Sequence, residues 1–242
     1  MNTTLGGRVA IITGAGSGIG EATAEALGRL GLRLVLVGRR EALIRAVAER
    51  LEASGVEALP VVADVREFAD QARVVATALE RFGQVDIFIA NAAVADFGPV
   101  DQADPAMFHD VITTNVLGVL YGARAVLPAM YERGSGHVVI VSSGSGRSTY
   151  VGEPAYVASK HATVAFADCL RMEAAPHGVR VSVIEPGLVE TPLIHVWEGS
   201  DDLVVGVTPL AAADVARAIV FAVDQPASVL VFEIALRPTS QI

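Results

Sequence analysis

Apolar runs of strand length alternate with longer amphipathic stretches along the whole chain, and that alternation leaves few folds open. Runs at 8–13, 33–37, 58–63, 85–90, 137–143, 179–185 and 229–236 read as seven strands. Helix-like stretches fall between them near 18–30, 40–54, 67–82, 104–132, 154–175 and 212–224. Strands joined through helices return by right-handed crossovers, so they lie parallel with helices on both faces. Such strands are buried on both sides and read as continuous apolar runs. This accounts for a 242-residue chain that is 52% hydrophobic. The expected fold is α/β, a doubly wound parallel sheet of seven strands. No biased linker or internal repeat divides it, so residues 1–242 read as one domain.

Several function classes are disfavoured at once. The most apolar stretch, 111–131, is interrupted by Asn115, Gly118, Gly122, Arg124 and Pro128, short of the roughly 18 unbroken apolar residues of a membrane span. The start shows no charged segment followed by an apolar one, so no signal peptide is expected. A formal charge of −9 argues against a nucleic-acid partner. The five histidines are scattered without ligand spacing, and no metal is expected. A single cysteine, Cys169, excludes an intrachain disulfide and fits a reducing cytoplasm. Its small-residue neighbours predict a buried, unreactive thiol.

The first strand runs straight into "TGAGSGIG", with glycines at 14, 18 and 20, and a helix follows. Glycine lets the backbone turn tightly and approach a pyrophosphate, while the helix start presents free N–H groups to it. The second strand ends in Gly38, Arg39 and Arg40. NAD-preferring dinucleotide sites place an acid at that strand end. Its absence, with two guanidinium groups beside it, favours the 2′-phosphate of NADP. The alternative leaves both arginines as solvated starters of the next helix.

Of 18 basic residues, 17 are arginine and one is Lys160, four positions after Tyr156 on a predicted helix. That spacing puts both side chains on one face, a turn apart. An ammonium beside a phenol stabilises the phenolate and lowers its pKa, and unlike a guanidinium it can also pass on a proton. Strand five ends at Ser143, thirteen residues before Tyr156, and Asn115 sits in a long apolar helix. Ser142, on the opposite side of the strand end, and Ser145 are rivals for the serine role. For Asn115 the plain alternative is a residue that merely bends the helix.

With "TGAGSGIG", "ADV" at 63–65, "ANAA" at 90–93, Asn115, "SS" at 142–143, "YVASK" at 156–160 and "PGLVETP" at 186–192, the chain resembles the short-chain dehydrogenase/reductase family, in its compact single-domain, Rossmann-type branch. The resemblance covers essentially the whole chain. It implies Tyr156 as general acid/base, Ser143 as hydrogen-bond donor to the substrate oxygen, and Lys160 as holder of the nicotinamide ribose. Asn115 would anchor a water linking Lys160 to solvent. Cofactor contacts are implied for Gly14, Ser17, Gly18, Ile19, Gly20, Arg39, Arg40, Asp64, Val65, Asn91, Ala92, Pro186, Gly187, Val189 and Thr191. Ala93 departs from the glycine frequent there, and the ending "FEIALRPTSQI" lacks the family's frequent "VDGG". That ending resembles NADP-dependent reductases of hydroxy acids, hydroxy amino acids and assorted ketones or aldehydes.

The expected activity is hydride exchange between NADP(H) and a carbonyl/alcohol pair. A catalytically idle NADP-binding redox sensor and an NAD-preferring alcohol dehydrogenase of the same fold are the alternatives. Candidate substrate contacts are Val94, Phe97, Ser143, Ser145, Tyr150, Tyr156, Leu188 and Trp197, mostly apolar. Arg147 and His195 would instead greet a carboxylate, unless both are surface residues. The proline-interrupted segment at about 188–210 reads as a lid. Small-residue faces at 104–132 and 154–175 suit a homo-oligomer, a dimer or tetramer.

Overall fold

The structure is a computed structural model that describes residues 5–196 and 206–241. Its elements are β1 Val9–Thr13, α1 Gly18–Arg29, β2 Arg33–Gly38, α2 Glu41–Ala53, β3 Ala58–Val62, α3 Phe68–Phe82 and β4 Ile87–Ala90. Then follow α4 Pro105–Ile112, α5 Gly118–Arg133, β5 Gly136–Val141, α6 Pro154–Ala174 and β6 Val179–Pro186. Two short strands, β7 Val189–Glu190 and β8 Leu210–Ala211, precede α7 Ala212–Val223 and β9 Glu233–Leu236. Seven strands form one parallel sheet in the order β3-β2-β1-β4-β5-β6-β9, and β7 pairs with β8. This is the Rossmann-like architecture expected.

All five residues of β1 are buried. Alternate side chains enter opposite cores: Val9 and Ile11 pack with α3, α5 and α6, whereas Ala10 and Ile12 pack with α1, α2 and α7. With both faces covered, solvent reaches the sheet at the strand ends and along the edge strands β3 and β9.

The helix expected over 104–132 is interrupted. Asp104 caps α4 by accepting from Ala106 N at 2.9 Å, but a π-helical turn, Thr113–Leu117, separates α4 from α5. Asn115 lies within it, 1% exposed. The rod Pro105–Arg133 has the length and apolarity of a membrane span. Its buried face, with Val119, Ala123, Val126 and Met130, packs into the core beneath the sheet.

Two further expectations are corrected. The seventh strand is only Glu233–Leu236, because a turn in which Val229 N donates to Pro226 O precedes it. Cys169 is exposed, not buried. The inward stripe of α6 runs through Val164, Ala167 and Leu170, and position 169 falls outside it.

His137 on β5 is 1% exposed, with Nε2 2.8 Å from Ser182 Oγ. Ser182 donates its proton to Val231 O, so Nε2 carries the imidazole hydrogen and donates to the serine. Burial, with the charges of Arg180 and Arg8, pushes its pKa down to about 3. The folded form holds this histidine neutral while the unfolded chain takes up a proton below its ordinary value of 6.5. The contribution is therefore intact above that value and lost as pH falls toward 3. At pH 5 the loss is about 2 kcal/mol. Denaturant unfolding between pH 7 and 5 should show this fall, and His137→Gln should flatten it.

Candidate active site

The strand order reverses between β1 and β4, and ligands bind in such folds at the crevice this opens. A cavity of about 560 Å³ occupies it. Its floor is a polar clamp. Thr13 Oγ1 accepts from Asn91 N and Ala92 N at 3.0 and 3.1 Å, and Asn91 Nδ2 donates to Thr13 O at 3.0 Å.

One half of the cavity suits a dinucleotide. Gly14, Ser17, Gly18 and Ile19 line it. Gly14 has φ +67°, and a Cβ there would fall 2.9 Å from Ala92 Cα. Gly20 does not reach the cavity. It is buried beneath the turn, where a Cβ would stand 2.2 Å from Gly14 O. No side chain caps α1, so its first-turn N–H groups are free to bind an anion. At the far end stand Arg39, Arg40, Asp64 and Val65, over an apolar floor of Leu43 and Ile44.

Asp64 is more constrained than its sequence suggests. Arg66 donates to it through Nη2 at 2.7 Å, and Arg39 Nη1 lies 4.0 Å away. Burial resists ionisation of Asp64, but the Arg66 hydrogen bonds and both cations outweigh it and hold the carboxyl below its ordinary value. The Arg39 guanidinium remains half exposed toward the cavity.

The other half gathers the reacting groups. Ser143, Tyr156 and Lys160 all line the cavity, and the serine hydroxyl is hydrogen-bonded to the phenol. Ser142 turns away toward α6, with Oγ 3.2 Å from Thr163 Oγ1. Lys160 Nζ donates to Val141 O at 3.1 Å and lies 5.4 Å from the Tyr156 ring centre. Burial lowers its pKa to about 8. The phenol moves opposite to expectation. Burial raises Tyr156 to about 12, with Ser143 working against that and Glu153 adding to it. The amine, turned to the Val141 carbonyl, is not among the groups that set this value.

Asn115 stands behind the cavity rather than in its wall. Its Oδ1 accepts from Val94 N at 2.9 Å, and Nδ2 donates to Val94 O at 2.8 Å and Ser159 Oγ at 3.0 Å. It thus ties the loop after β4 to α6.

Val94, Phe97, Ser145, Tyr150 and Leu188 line the substrate side, as do Pro186, Gly187, Val189 and Thr191. The Phe97 ring lies 6.4 Å from that of Tyr156. Trp197 and the 197–205 part of the expected lid lie outside the described residues. Arg147 and His195 are not in the cavity wall. Arg147 donates to Glu185 at 3.0 Å and to Glu233 at 2.5 Å, because Glu185 is 2% exposed and its carboxylate demands a cation. His195 Nε2 sits 2.6 Å from Glu190 Oε1, both exposed.

Among the wall residues that escaped the sequence reading are Glu153, Arg237 and Gln241. Glu153 stands at the N-cap of α6, three residues before Tyr156 and just outside the helix expected at 154–175. Arg237 and Gln241 come from the segment after β9, which folds back so that Gln241 Oε1 accepts from Leu188 N at 3.0 Å. No local pattern signals that.

A glycine-turned helix start at one end of a strand-end crevice and a serine–tyrosine–lysine cluster at the other mark a Rossmann-like dehydrogenase scaffold. The chain belongs to the short chain dehydrogenase family, whose profile matches residues 8–200, and is an oxidoreductase of that family. It is 36% identical to an uncharacterized oxidoreductase of Listeria innocua, over 98% of this chain and 99% of that one. Among solved structures it is similar to an alcohol dehydrogenase from Thermococcus sibiricus complexed with 5-hydroxy-NADP (31% identity, TM-score 0.89, 97% and 98% of the two chains). It is likewise similar to a 3-ketoacyl-(acyl-carrier-protein) reductase from Brucella melitensis complexed with NADH (30%, TM-score 0.90, 99% and 100%).

The packing under the first turn makes Gly20→Ala a direct probe. Its methyl meets backbone, so denaturant unfolding should show a loss of about 1–3 kcal/mol.

Proposed function

We propose that this protein interconverts a carbonyl and an alcohol using NADP(H), with Tyr156 exchanging the proton. The observation that carries the reading is the Ser143–Tyr156 hydrogen bond with the Lys160 amine beside it, all in one cavity wall. Bound in the crevice, the nicotinamide cofactor supplies or accepts the hydride. Ser143 and Tyr156 grip the substrate oxygen. A phenol with a pKa near 12 is fully protonated at neutral pH, which suits donation to a carbonyl oxygen as negative charge develops there. Lys160 binds the ribose hydroxyls and carries protons onward, and a pKa near 8 suits that exchange. Asn115 holds Val94 and Ser159 in place and anchors the water at the end of the relay.

NADP preference rests on Arg39 and Arg40 at the adenine end, where no carboxylate ends β2. Residues 1–242 act as one unit, with the segment at about 188–210 as its lid. A homo-oligomer is supported by the outward stripe of α6, where Ala158, Ala165, Cys169 and Met172 are exposed, a face suited to close helix packing.

NADPH absorbance followed with a panel of ketones, diketones and keto acids tests the activity. Tyr156→Phe should lower the rate about 10²–10⁴-fold. Tight NADPH binding without turnover of any of them would point to the redox sensor instead. Arg39→Ala should raise KM for NADP about tenfold while leaving that for NAD nearly unchanged. Equal losses for both cofactors would remove the NADP assignment. Sedimentation of the wild type against Ala165→Glu should show a smaller assembly for the variant.

A further inference from the structure

The cavity wall beyond the phenol holds a carboxylate that proton and hydride transfer do not use. Glu153 lies one turn before Tyr156, is half-buried, and faces the cavity. Its hydrogen-bond partner among the described residues is Ser145, whose Oγ donates to Oε2 at 3.2 Å. Among the described residues it makes no ion pair, and no cation contributes to its ionisation.

That sets it apart from the carboxylates around it. Glu185 has Arg147, and Asp64 has Arg66 and Arg39. Lys160, the chain's one amine-bearing side chain, is spent on the Val141 carbonyl. A half-buried carboxylate without a counter-charge is costly unless something that enters the site supplies one. Burial raises its pKa, with only the Ser145 bond working against that.

We infer that Glu153, oriented by Ser145, is a specificity-determining residue that accepts an ammonium group carried next to the reacting carbonyl. The inference rests on the oxidoreductase reading above and names its substrate class as amino ketones, or amino alcohols in the reverse direction. Glu153 is the residue from which the helix bearing Tyr156 starts, and its charge bears on the phenol. An ammonium accepted there lies close to the carbonyl that Tyr156 serves. The apolar wall of Val94, Phe97 and Leu188 takes the remainder of the molecule.

Phenacylamine and propiophenone are phenyl ketones that differ only in the group on the α-carbon, an ammonium or a methyl, and phenylglyoxylate carries a carboxylate directly on the carbonyl. With saturating NADPH, the wild type should favour phenacylamine over propiophenone at least tenfold in kcat/KM, with phenylglyoxylate poorest. Glu153→Gln preserves shape and removes charge, and it should collapse the amine-to-methyl ratio about tenfold. Ser145→Ala should lower the same ratio by less, which keeps the test open if Glu153→Gln does not fold. Calorimetric binding of 2-amino-1-phenylethanol to the NADPH-loaded protein, a complex that cannot turn over, should weaken in parallel. A ratio unchanged in Glu153→Gln, equal losses for both ketones, or a preference for phenylglyoxylate would overturn the assignment. Tyr156-dependent turnover of propiophenone in those cases would leave the oxidoreductase reading standing. Absence of turnover with every ketone would take down both.

Discussion

A parallel sheet covered on both faces is open at its strand ends and edges, and the chemistry of this chain sits at the carboxyl ends. The β1–β4 ladder stops at Ile12 and Ile89, so the backbone groups just beyond it, where the strand order reverses, lack a ladder partner. Thr13 and Asn91 take them up instead, each using its side chain on the other's backbone. With these partners the crevice floor is polar and fixed. Much of the cavity wall is hung from the strand ends and helix starts around this clamp.

Burial near that floor governs the charges. The phenol and the amine shift in opposite directions, each toward its neutral form, because desolvation is the largest influence on both. Nζ is bonded to Val141 O, and the influences on the phenol are burial, Ser143 and Glu153. Carboxylates in the neighbourhood divide into those matched by arginine and Glu153, which is not. The same desolvation that shifts Tyr156 and Lys160 makes an unmatched carboxylate a demand on whatever enters.

Local patterns carried much of this site. The glycine turn is read from adjacent residues, and the Tyr156–Lys160 pair from helical spacing. Strand burial on two faces is written as unbroken apolar runs. Contacts between distant segments were not legible. Arg147 read as a free cation near the pocket, but its partners Glu185 and Glu233 lie 38 and 86 residues away. The break in the 104–132 helix arises because Asn115 bonds Val94 and Ser159, 21 and 44 residues distant. A helical propensity scan of that stretch contains neither partner.

The sequence alone determined the alternation of strand and helix, hence the parallel sheet, and the residues that must meet at its carboxyl edge. It did so because apolar periodicity and short-range spacing are properties of neighbours along the chain. Tertiary structure decided which charges are matched, which way Tyr156 and Lys160 are shifted, and that the segment after β9 closes over Gly187 and Leu188. Those outcomes depend on desolvation and on contacts between residues far apart in sequence, and neither quantity exists until the chain has folded.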